Sequence, residues 1–112
     1  MAIYSNLTVD QGSNFLAYID VTDSSGNALD LNGYTVAGQI RKTYSSLNAV
    51  SFSATVSNAS GGTISLGLSN AVTNTMKPGR YVYDIEVLKT SSGTRTRVLE
   101  GQVEVTPGVT QV

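Results

Sequence analysis

Apolar and polar residues alternate along most of this chain, most plainly in Gly79-Arg80-Tyr81-Val82-Tyr83-Asp84-Ile85-Glu86-Val87-Leu88. A period of two is that of a strand with one buried face and one wet face. The same pattern predicts strands over Phe15–Thr22, with Phe15, Ala17, Ile19 and Val21 on one face, and over Thr35–Lys42. It recurs around Phe52, Ala54 and Val56, and again around Ile64, Leu66 and Leu68. Leu7–Val9 is expected as a short edge strand. The last two strands are expected to form a hairpin across Thr90-Ser91-Ser92-Gly93, with Tyr81, Tyr83, Ile85 and Val87 facing Leu99, Gly101, Val103 and Val105. In that register Gly101 lies beside Tyr83, whose ring would cover the bare backbone, and Asp84 faces Glu100.

Turn chemistry separates these segments. Asp23-Ser24-Ser25-Gly26-Asn27 and Asn58-Ala59-Ser60-Gly61-Gly62 combine side chains that bond their own backbone with glycines that accept positive φ. Asn32-Gly33 is a strong turn signal. Between Ser69 and Lys77 the alternation breaks, and Ser69 or Asn70 can cap a short helical turn near residues 70–76, with Val72 and Met76 on its inner side. Pro78-Gly79 ends it. The prediction is therefore an all-β, immunoglobulin-like antiparallel β-sandwich of about seven strands, with a small closed barrel as the alternative. Tyr81, just after the helical turn, sits where that fold places a crossover tyrosine.

The 112 residues suit one domain, 1–112, with arms at residues 1–6 and 106–112 outside the expected core. Seven Lys and Arg stand against eight Asp and Glu, so no bulk field draws in nucleic acid or an anionic membrane. No Cys is present, which leaves stability to burial and strand pairing. The first residues carry neither a basic region nor an apolar run of a secretory signal, and no stretch approaches a membrane helix. The chain reads as a product of the cytosol that would leave a cell by another route, such as inside an assembled particle.

Reactive chemistry finds little support. There is no His, and only Lys42, Lys77 and Lys89 are available to activate a Ser or Thr. Asp84, Glu86, Glu100 and Glu104 on the last two strands have the composition of a hydrolase pair or a cation site, and neutralisation by Arg95, Arg97 or a neighbouring subunit is the simpler expectation. Asp20, Asp23, Asn27 and Asp30 lack the spacing of a calcium loop and read as turn residues. The sequons at Asn6 and Asn58 fall in a sequence rich in Asn, Ser and Thr and carry no weight. No catalytic, cofactor or metal residue is assigned. Tyr4, Tyr18, Tyr34 and Tyr44, with Val109, are the candidate interface positions, since exposed Tyr suits protein contacts. A platform for sugar rings, making this a carbohydrate-binding or host-surface adhesion module, is the alternative.

The stretches Asp23–Gly26, Asp30-Leu31-Asn32-Gly33-Tyr34, Gln39-Ile40-Arg41-Lys42, Gly79–Val87 and Arg97–Pro107 together resemble the small immunoglobulin-like domains of tailed-phage structural proteins. Those include the N-terminal domains of baseplate proteins that carry receptor-binding parts. The resemblance runs from Phe15 to Thr110. It implies a non-enzymatic virion component, assembled in the host cytoplasm and present in several copies. Its implied partners are other virion proteins and copies of itself, with a host-surface glycan as a lesser expectation. The chain departs from the baseplate versions in having no receptor-binding domain after Val112, so a self-contained adaptor, ring or decoration subunit of tail, neck, baseplate or capsid fits better than a fibre. Truncating either arm is expected to leave the domain folded and to abolish incorporation.

Overall fold

The computed structural model describes residues 3–23, 25–46 and 48–109. Nine strands and one helical turn follow in order. They are β1 (Ile3–Tyr4), β2 (Leu7–Asp10), β3 (Phe15–Asp20), β4 (Tyr34–Arg41), β5 (Val50–Ser51), β6 (Ser53–Asn58), β7 (Thr63–Leu68), α1 (Asn70–Thr73), β8 (Gly79–Lys89) and β9 (Thr94–Thr106). One sheet runs β1-β9-β8-β4-β5, with β2 also on β9, and the other runs β3-β7-β6. The two pack face to face. Their inner faces supply Ile64, Leu66 and Leu68 from the small sheet, against Ile40, Tyr83, Ile85, Val87, Leu99, Val103 and Val105 from the large one. This is the two-sheet β-sandwich that the alternation predicts, with nine strands among the described residues in place of about seven.

Two features depart from the antiparallel expectation. Both β1 and β2 run parallel to β9, pairing Ile3 with Leu99 and Leu7 with Val103. Residues 3–6 thus lie on the chain's own sheet instead of extending away as an arm. The third strand stops at Asp20, with Thr22 reaching Ala28 through an isolated bridge. The alternation around Phe52 is split between two strands, β5 on the large sheet and β6 on the small one, with Phe52 between them.

The crossover from β5 to β6 carries Phe52 into the core, where its ring meets Tyr83 edge-on at 6.0 Å and Phe15 at 6.4 Å. Such aromatic contacts add to the burial of their area. Ser69 caps α1, its hydroxyl accepting from the amide of Val72. Thr73, rather than Val72, is the fully buried residue of this turn: its hydroxyl donates to the Ser13 carbonyl at 2.8 Å and accepts from the Gly12 amide at 3.1 Å. A buried hydroxyl with both roles satisfied holds the β2–β3 loop against the start of the crossover.

The predicted tyrosine corner is present. The Tyr81 hydroxyl donates to the Lys77 carbonyl at 2.6 Å, four residues upstream, and the Lys42 ammonium sits 4.7 Å from the ring centroid. The bond fixes how the chain leaves the helical turn and enters β8.

Candidate interaction surfaces

The hairpin of β8 and β9 carries the expected pairing. Tyr83 stands opposite Gly101 and Asp84 opposite Glu100. Gly101 is needed for a reason other than the ring. A Cβ there would fall on the Ser5 carbonyl oxygen, because the kink between β1 and β2 passes over this point. The Ser5 amide donates to the Glu100 carbonyl at 2.8 Å, the Tyr83 hydroxyl donates to the Ser5 carbonyl at 2.6 Å, and the Asn6 side chain accepts from the Gln102 amide. Burial pushes the Tyr83 phenol up from its ordinary value of 10.0 to about 12, so it keeps the proton it donates.

Past Leu99 the hairpin changes phase. Ile85 pairs with Leu99 but Glu86 pairs with Arg97, so Val98 is the extra residue of a bulge, and Val98 and Leu99 are both buried. Strict alternation from Leu99 would send Arg97 and Arg95 toward the core. The bulge turns them to the outer face, where Arg97 lies 3.3 Å from Asp84 and Arg95 3.6 Å from Glu86. These are half-exposed pairs of small energetic weight, and they neutralise two of the four carboxylates as anticipated. Arg41 donates to Gln39 at 2.9 Å beside them. An open groove of about 290 Å³ runs past Gln39, Arg41, Tyr44, Asp84, Arg97 and Glu100. A second, of about 920 Å³, lies between the β2–β3 loop, α1 and residues 107–109. Two of its polar side chains are engaged internally, Gln11 donating to the Met76 carbonyl and Asp10 accepting from Thr106.

The acidic positions before β4 act as turn residues. Asp23 accepts from the amides of Ser25 and Asn27, Asp30 from Asn32, and Asp20 from the Thr63 hydroxyl. Among the described residues no group of three or more His, Cys, Asp and Glu is placed to hold a metal ion. No helix among them is long and apolar enough to cross a membrane.

Four of the five candidate interface residues are at the surface: Tyr4 is 63% exposed, Tyr18 65%, Tyr44 81% and Val109 94%. Tyr34 is not. It is half-buried and packs on the core, because it shares the inward phase of Val36, Gly38 and Ile40 along β4, a signal that was readable in the alternation. Leu16, 63% exposed, and Ile3, 44%, are surface apolar residues that the tyrosine-based reasoning missed. The exposed residues fall into a pattern. Ile3 and Tyr4 form β1, and Leu16 and Tyr18 lie on β3, which are edge strands of the two sheets. Tyr44 stands apart in the β4–β5 connection, so the exposed tyrosines are spread over separate elements.

No family model and no curated protein matches this chain. Among solved structures, the crystal structure of InlP from Listeria monocytogenes is similar over 94% of this chain, with a TM-score of 0.50 and 16% sequence identity. The chain corresponds to 28% of the length of that InlP chain. At this identity the likeness is one of fold, and it agrees with a β-sandwich.

Proposed function

We propose that this protein is a non-enzymatic structural subunit of a bacteriophage virion, a multi-copy immunoglobulin-like adaptor, ring or decoration protein of tail, neck, baseplate or capsid. The observation that carries the building-block part is the placement of exposed apolar residues on edge strands: Ile3 and Tyr4 on one sheet, Leu16 and Tyr18 on the other. Unpaired edge amides beside apolar side chains are templates for another chain. The virion part is supported by the sequence resemblance of Phe15–Thr110 to domains of tailed-phage structural proteins.

The test is quantitative mass spectrometry of purified particles. The expected result is this chain in a fixed ratio to the major capsid protein, retained after stringent washing. Absence from the particles, or turnover of a substrate by the pure protein, would overturn the proposal.

A further inference from the structure

We infer that a second copy of this chain pairs with the outer edge of β3, in antiparallel register about a two-fold axis at Ala17. The inference deepens the building-block reading and rests on it for a reason to self-associate.

Among the described residues nothing hydrogen-bonds to β3 on the side away from β7, because the strands that precede it, β1 and β2, both go to β9 in the other sheet. The edge is six residues long, pairs with β7 without a bulge from Phe15 opposite Leu68 to Asp20 opposite Thr63, and contains neither Pro nor Lys. Natural edges are normally blunted by one of these devices. The other edges are shorter or interrupted: β5 and β1 have two residues each, β2 has four, and β6 bulges between Val56 and Asn58.

The backbone groups of β3 point in the required direction. The Val21 amide donates to the Gly62 carbonyl on the β7 side, so at period two the amides of Leu16, Tyr18 and Asp20 face the open edge. Antiparallel pairing centred on Ala17 sets Leu16 against Tyr18 of the second copy, and Tyr18 against its Leu16. Both side chains lie on the same outer face of the sheet, where each is more than three-fifths exposed. The same register sets Phe15 against Ile19 on the inner face and Asp20 against the neutral Asn14. No like charges oppose each other, and the Leu16–Tyr18 and Phe15–Ile19 pairs set apolar against apolar. Gly67 and Ser65, the β7 neighbours of Leu16 and Tyr18, leave the adjoining surface low. Two three-stranded sheets would join into one continuous sheet of six strands.

The experiment is sedimentation equilibrium of the full chain over a wide concentration range, for the wild type and two double variants. The wild type is expected to form a dimer. Leu16→Lys with Tyr18→Lys opposes Lys to Lys twice and is expected to be monomeric, with an unchanged strand spectrum by circular dichroism. Leu16→Glu with Tyr18→Lys opposes Glu to Lys twice and is expected to recover the dimer, weakened by added salt. A wild type monomeric at every concentration, or a Lys/Lys variant as dimeric as the wild type, would overturn the inference. A Glu/Lys variant no more dimeric than Lys/Lys would overturn the register. Purified particles separate this from the parent proposal: a monomer that still enters them in fixed ratio sinks the β3 pairing alone, whereas a dimer absent from them sinks the virion role alone.

Discussion

The Tyr83 hydroxyl reaches across 78 residues of sequence to the Ser5 carbonyl, closing the first segment of the chain over the centre of the β8–β9 hairpin. The bond exists because Gly101, opposite Tyr83, offers no side chain to obstruct the Ser5 backbone. Ring, glycine and N-terminal kink form one unit.

Removing the hydroxyl tests that unit. Tyr83→Phe should lower unfolding stability by about 1 kcal/mol at neutral pH, the usual net value of one hydrogen bond, read from urea melts. The phenol also predicts an alkaline step. Its folded value of about 12 lies above the ordinary 10.0, so the folded state favours the protonated form. That stability is complete below pH 10 and is lost as pH rises through 12. Tyr83→Phe should lack this component of the decline. A variant that declines as steeply as the wild type would refute it.

Gly101→Ala should cost roughly 1–3 kcal/mol, because the new methyl group meets backbone that cannot rotate out of the way. The chain must then either lift residues 3–6 or distort β9. Deleting residues 1–6 should itself be destabilising, since Ile3 and Tyr4 pair with Leu99 and Glu100. In the deleted background Gly101→Ala should cost little. Thermal melts of the four proteins form a double-mutant cycle, and additive losses would rule out the collision.

Thr73→Val should destabilise by about 2 kcal/mol despite matching shape. It leaves the Gly12 amide and the Ser13 carbonyl without the hydroxyl that serves both. Hydrogen exchange should show the Gly12 amide losing protection first, and unchanged protection would count against the bond.

Tyr81→Phe should cost about 1 kcal/mol through the lost bond to Lys77. Lys42→Ala should cost less, since the cation over the ring is exposed to solvent. Equal losses in chemical denaturation would mean that the ring's packing, not the corner bond, is what matters.

Much of the sandwich was legible in period two alone. The span Thr63–Leu68, the hairpin loop, the capping Ser69, the corner Tyr81 and the pairing of Tyr83 with Gly101 follow from side-chain alternation and turn chemistry, which act over a few residues. The candidate surface was less so. Tyr34 was misplaced although its phase with Val36 and Ile40 marks it as inward. Leu16 was passed over because one apolar residue on a wet face carries no signal until its strand is known to lie at an edge.

Residue pattern by itself determined which face of each strand is buried, because burial depends on side chains that the sequence spells out. Tertiary structure alone decided which strand lies beside which. Every backbone amide and carbonyl is alike, so nothing in Ile3–Asp10 announces parallel pairing with β9 in place of β3. The same holds for the bulge at Val98, which turns Arg95 and Arg97 outward. Adjacent apolar residues hint at a change of phase, but only the packed core, by accepting both Val98 and Leu99, chooses where it falls.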